Sequence, residues 1–254
     1  MLAAHGGLDA YGNILSSVPL GDHYRTRHDG VKRVIPQLCR WAGVECDTEV
    51  YNLFAGLLSQ EGLAELGGKE RKQQGLVPDF QIDEGLAELK IIGCCPAHYP
   101  GTGGVRPVER RAAKIQKEYE DKLRDVDQPH GPALARLHSY GPVKGLVVGA
   151  FGEFSDDLHA LVDGLVKAKL PGPPELNKAA RSVVYPYLRR RIAVAAVKGH
   201  AKLLLDGLKW CGPGGKEAYS RRHDRKVSDG LAAAAMRAEW AAHFHRVDSP
   251  FRGH

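Results

Sequence analysis

The sequence predicts an α/β fold, a mixed central sheet flanked by helices in the order helix, strand, strand, strand, helix, strand, helix. Three observations predict it. Residues 76–92, LVPDFQIDEGLAELKII, read as two short apolar strands joined by a tight turn. Residues 107–127, PVERRAAKIQKEYEDKLRDVD, read as a helix with no interior breaker. From Lys144 the run KGLVVG carries Leu146, Val147 and Val148 in unbroken apolar sequence, the signature of a strand buried on both faces.

The elements follow in order. His28-Asp29 precedes VKRVIPQLCRWAG, in which Val31, Val34, Ile35, Leu38 and Trp41 or Ala42 share one helical face. Asp29 reads as the N-cap, Pro36 as a kink or a later start, and Gly43 as the stop. Residues 44–52 read as a strand with Val44, Cys46, Thr48 and Val50 on one side, and 53–75 as a helical turn and a loop around GGKERKQQG. The paired strands lie near 76–82 and 86–92, with Gly85 in the turn. GCCPAHYPGTGG is a loop by composition, Pro107 opens the long helix, and DQPHGP breaks it. After the buried strand, Ser155 caps DDLHALVDGLVKAKL, with acids in its first turn and lysines in its last. PGPPELN is a boundary, followed by helical stretches at 178–210 and 216–245 separated by CGPGG. The organisation expected is an irregular segment 1–27, an α/β domain 28–170 and a basic helical extension 171–254.

Composition narrows the function. Hydrophobic residues at 43% and charged residues at 26% are ordinary globular values, so a packed core is expected. No apolar run reaches the length needed to span a bilayer, and the first residues carry no basic n-region or apolar h-region. Five cysteines without paired spacing point to reduced thiols. The expectation is an intracellular protein of nucleus or cytoplasm, not a secreted or membrane one. The N-terminus lacks a start-of-domain pattern, as in a piece of a longer reading frame. The net charge of +6 is uneven: residues 171–254 hold 16 Lys and Arg against 7 Asp and Glu, whereas 1–170 hold 20 against 23. A basic extension beside a mildly acidic domain suits a polyanionic partner.

Alternation puts Glu88 and Lys90 on one face of their strand, and hairpin pairing brings Asp79 within reach. Two carboxylates and an ammonium at one point can hold Mg²⁺ and activate water against a phosphodiester. Pro78-Asp79, eight intervening residues and then Glu88-Leu89-Lys90 resemble the signature of the PD-(D/E)XK, or restriction-endonuclease-like, nucleases. The element order over 29–170 is similar to that family's αβββαβ core. The resemblance implies a metal-dependent endonuclease acting on DNA, with RNA as an alternative. Asp79 and Glu88 would be ligands of Mg²⁺, or of Mn²⁺ in its place, and Lys90 would orient water or stabilise the phosphorane. The phrases RHDGVKRVI, ELKIIGCCPAHYP, ERRAAKIQKEY and GLVVGAFGEFSDDLHALV also resemble endonuclease-like segments found beside reverse transcriptases in eukaryotic retroelements. That likeness implies nicking for a mobile element, with a reverse transcriptase or another element-encoded protein as partner.

Family members often carry an acid on the first helix, whereas here only Asp29 and its neighbour His28 stand near, which leaves the number of metal ions open. Glu49 reads as a solvated strand residue. Cys94-Cys95 with His98 lacks the spacing of a zinc site. Arg110, Arg111 and Lys114 on the long helix are candidate phosphate contacts, with Gln116 and Tyr119 beside them. Arg189, Arg190, Arg191, Arg221 and Arg222 are the densest positive charge. P-loop, dinucleotide, nucleophile-elbow and HExxH patterns are missing. The alternative reading is a catalytically silent nucleic-acid-binding or protein-interaction module of the same fold.

Overall fold

The structure, a computed structural model, describes residues 23–66, 76–93, 99, 105–126, 131–173 and 175–211. Helix α1 (His23–Ala42) buries Val31, Ile35, Leu38, Cys39 and Ala42, the periodic face read from the sequence. It starts earlier than expected, so Asp29 lies inside the helix and is not its N-cap. Pro36 is accommodated within it. Gly43, at φ 78°, ends the helix in a Schellman arrangement: its N–H donates to Arg40 and the Val44 N–H donates to Cys39.

Strand β1 (Cys46–Thr48) is three residues, not the nine of 44–52. Glu49 adopts a left-handed φ of 56° and Asn52 one of 59°, which turns the chain out of the ladder. Helix α2 (Gln60–Leu66) follows, its first turn held by Ser59, which accepts from the Gly62 N–H at 3.1 Å. Strand β2 (Phe80–Ile82) begins one residue after Asp79, and β3 (Gly85–Ile91) pairs with it antiparallel, Ile82 opposite Gly85. The tight turn is therefore Asp83-Glu84, with Asp83 at φ 49°, and Gly85 belongs to the strand.

Helix α3 (Pro107–Val126) buries Val108, Ile115, Tyr119 and Leu123. Helix α4 (Pro132–Ser139) was not expected from the sequence; it opens with Pro132 in the first turn. Strand β4 (Lys144–Val148) runs parallel to β3, with Glu88 opposite Gly145 and Lys90 opposite Val147. Helix α5 (Asp156–Lys169) is capped by Ser155 as expected, its hydroxyl accepting from the Leu158 N–H. The same buried hydroxyl donates to Gly145 O at 2.6 Å and accepts from Val147 N, tying the helix start to β4. Helix α6 (Lys178–Cys211) completes the described chain. The second C-terminal stretch, 216–245, lies outside the described residues.

The four strands stand in the order β1-β2-β3-β4, antiparallel except for the last pair, so the protein is mixed α/β with a mixed sheet. Alternation divides the core in two. Phe80, Leu89, Leu146 and Val148 face α1, α5 and α6, while Leu86 and Val147 face α2, α3 and α4. Leu188, Ile192 and Ala196 of α6 are buried in the first of these clusters, beside Val31 and Ile35. Over Gly145, α3 lies directly on the sheet: a Cβ there would stand 2.7 Å from Ala112 Cα. No helix among the described residues is long and apolar enough to cross a membrane.

Candidate active site

Among the described residues Asp79 is the one buried carboxylate, 5% exposed. It stands where β2 has ended, and its side chain takes up the place the ladder leaves open. Oδ2 accepts from the Leu89 N–H at 3.0 Å, in the middle of the Glu88-Leu89-Lys90 element. The remaining partners come from α1. His28 Nε2 lies 3.0 Å from Oδ2, and Lys32 Nζ donates to Oδ1 at 2.7 Å. Positions 28 and 32 are one helical turn apart, so both side chains leave the same face of α1.

Glu88 and Lys90 project together to the α3 face, as alternation requires. Lys90 Nζ donates to Glu88 Oε1 at 2.5 Å, and Tyr119 of α3 donates to Oε2 at 2.7 Å. Asp79 meets Glu88 through its own backbone N–H, 3.3 Å from Oε2. The three residues singled out in the sequence are thus neighbours, but their charges are held by different helices. Asp79 is bound to α1, and Glu88 to its strand neighbour and α3.

The electrostatics follow from burial and pairing. Burial alone would raise the Asp79 pKa, yet the His28 and Lys32 contacts hold its carboxyl well below the usual range. Burial would lower His28 and Lys32, but the Asp79 carboxylate raises both, and Glu49 raises Lys32 further. Glu49 is therefore not a solvated strand residue. Its Oε1 accepts from Lys32 at 3.0 Å and its Oε2 accepts from Tyr51. The left-handed turn at Glu49 that ends β1 is also what aims this carboxylate at Lys32. Lys32 is not among the candidates the sequence offers, since a lysine on an amphipathic helix carries no local mark of a buried partner.

Carboxylate oxygens are the ligand type a hard divalent cation takes, and here each of the two carboxylates is shared with an ammonium, Lys32 at Asp79 and Lys90 at Glu88. Asp79 and Glu88 each accept three bonds of the roughly four a carboxylate can take, leaving a position on Oδ1 and on Oε1. Mg²⁺ is commonly held by one or two carboxylates with water and substrate phosphate supplying the rest. Among the described residues no three His, Cys, Asp or Glu side chains converge to hold an ion by protein alone.

Beside Lys32 and Glu49 opens a groove of about 550 Å³ between α1 and the end of β1. Arg33, Gln37, Arg40 and Thr48 line it, and Arg191 reaches Gln37 Oε1 at 3.1 Å. Of the expected phosphate contacts, Arg111 is tied to both carboxylate oxygens of Glu118, at 2.8 and 2.9 Å. Arg189 lies over the Phe154 ring, 5.4 Å from its centroid. Arg110, Lys114 and Arg190 are exposed. Arg221, Arg222, Cys94, Cys95 and His98 lie outside the described residues. Arg33 and Arg40 stand in RHDGVKRVIPQLCR as a basic edge, less dense in charge than the arginine runs further along the chain.

In comparisons with known proteins, no family model, curated protein or solved structure matches this chain significantly.

Proposed function

We propose that this chain is a Mg²⁺-dependent endonuclease of the restriction-endonuclease-like kind, acting on DNA. The observation that carries the reading is the packing of Asp79 against Glu88 and of Glu88 against Lys90, at the mouth of the β2–β3 hairpin. Bound at Asp79 and Glu88, Mg²⁺ would offset charge on the scissile phosphate, and Mn²⁺ could replace it. Lys90 Nζ, held at Glu88 Oε1, would orient the attacking water or stabilise the negative charge on the phosphorane oxygens. Tyr119 keeps Glu88 in place through Oε2. Arg33 and Arg40 would neutralise flanking phosphates along the adjoining groove. The biological setting inferred from the sequence likeness is nicking for a mobile retroelement, alongside a reverse transcriptase. RNA is the alternative substrate.

The test is nicking of supercoiled plasmid with and without Mg²⁺. Wild type should nick only with metal, and Lys90→Ala should bind DNA as well as wild type yet fail to nick. Nicking by Lys90→Ala at the wild-type rate would overturn the assignment.

One observation favours a second reading, the catalytically silent binding module. The Lys32 ammonium already bridges Asp79 and Glu49, as a structural cation would. Calorimetric titration of Mg²⁺ into wild type and Asp79→Ala separates the two. Heat of binding lost in the variant supports the enzyme, and no heat in either supports the silent module.

A further inference from the structure

Helix α6 carries eight Lys and Arg and one acid, and the sequence invites a phosphate-binding role for it. Its outward face says otherwise. At 3.6 residues per turn, Val183, Tyr187, Val194, Val197, Leu205 and Leu208 fall within about 40° of one line along the helix. All six are large and exposed, Val183 at 69% and Leu205 at 57%. The residues α6 buries, Leu188, Ile192, Ala196 and Leu203, lie on the opposite side. The stripe runs about 38 Å at 1.5 Å per residue. Single exposed apolar residues need no explanation, but six aligned along one helix face mark a contact surface.

The charges beside the stripe identify the partner. Arg190 interrupts it, and Lys198 and Lys202 follow one of its edges, all three exposed. Asp206, the only acid of α6, is largely buried away from that edge, its side chain 17% exposed. We propose that the outward face of α6 docks an acidic amphipathic helix of a protein partner. Its apolar side would cover Tyr187, Val194 and Leu205, and its Glu or Asp edge would pair with Arg190, Lys198 and Lys202. Nucleic acid is a poor occupant, because phosphate gains nothing from a line of valines and leucines. A second copy would set basic edge against basic edge. The chain beyond Cys211 has the same sign, with eight Lys and Arg against five Asp and Glu.

The test uses the full chain and a labelled synthetic peptide of about 28 residues, long enough to span the stripe. The peptide has Leu at heptad a and d positions and Glu at e and g, which keeps it from pairing with itself. A twin peptide carries Lys in place of Glu. Fluorescence anisotropy should show the Glu peptide binding at least about tenfold tighter than the Lys peptide. Leu205→Glu should abolish that binding, and Lys198→Glu with Lys202→Glu should reverse the preference. Equal binding of the two peptides, or none, overturns the proposal. So does binding to vesicles of roughly one-third phosphatidylserine without peptide binding, which assigns the face to lipid. Sedimentation as a dimer that Leu205→Glu dissolves assigns it to a second copy. An exposed Leu205→Glu should shift the melting midpoint by no more than about 2 °C. A much larger fall means the rest of the chain already covers the face, and also overturns the proposal.

Discussion

The ammonium of Lys32 donates to Asp79 Oδ1 at 2.7 Å, joining α1 to the Pro-Asp element across 47 positions of sequence. Both side chains are nearly buried, 11% and 7% exposed. Charges buried this far need close partners, and removing either one leaves the other with only part of its set, His28 for Asp79 and Glu49 for Lys32.

Lys32→Met should therefore destabilise the protein by about 3 kcal/mol, read from the urea midpoint at constant m. Adding Asp79→Asn to Lys32→Met should cost less than the sum of the single changes, because both substitutions remove the same Lys32–Asp79 contact. Additive losses would mean that Lys32 acts through its packing alone.

The pH dependence has two limbs. The His28 pKa is raised above its usual 6.5 by Asp79 against the opposing effect of burial. Its contribution is thus complete below 6.5 and lost as pH rises through the folded-state value. Asp79 is depressed, so its contribution is present above its usual 3.8 and lost as pH falls through the lowered value. Unfolding free energy measured against pH should fall on both sides, and His28→Gln should flatten the alkaline limb and weaken the acid one, because His28 is one of the two contacts that depress Asp79.

Tyr119→Phe removes the hydroxyl that donates to Glu88 Oε2. A stability loss of about 1 kcal/mol is expected. Nicking should slow far more than DNA affinity weakens, because the glutamate loses its anchor while the phosphate contacts persist. Parallel losses of rate and affinity would place Tyr119 in substrate binding.

On the groove beside α1, Arg33→Ala with Arg40→Ala should lower the slope of log Kd against log salt by about 2 for duplex DNA. Arg111→Ala should leave the slope unchanged, since Glu118 already neutralises it. The opposite ranking would restore α3 as the phosphate-binding helix.

A chain ending at residue 170 should fail to unfold cooperatively, because Leu188, Ile192 and Ala196 of α6 belong to the α1–sheet core. A sharp, reversible melt of that fragment would show the core to be self-sufficient.

Much of this architecture was written in periodicity. The buried face of α1, the β2–β3 hairpin, β4 and the Ser155 cap all carry local signals that the structure repeats. Where local signals misled, the cause is specific. Asp29 looked like an N-cap because Val31 is the first residue of the apolar repeat, yet the helix continues upstream through a polar turn without one. The 44–52 alternation runs past Glu49, whose left-handed backbone no period-two pattern reveals. Helix α4 hides in eight residues between Pro and Gly signals. Glu88 and Lys90 are two residues apart and their pairing is legible. The Asp79 partners on α1 are legible only once α1 is known to lie beside the β2 start, which is tertiary information.

The close seat of Ala112 on Gly145 makes the distance between α3 and the sheet a quantity set by a missing methyl group. Glu88 is the register partner of Gly145, and Tyr119, two turns along α3 from Ala112, donates to Glu88. A single added carbon at 145 would lift the helix and lengthen that reach. The most chemically inert position in the sheet is therefore the spacer that gauges the polar cluster, and selection on the cluster would be felt at a residue with no functional atom of its own.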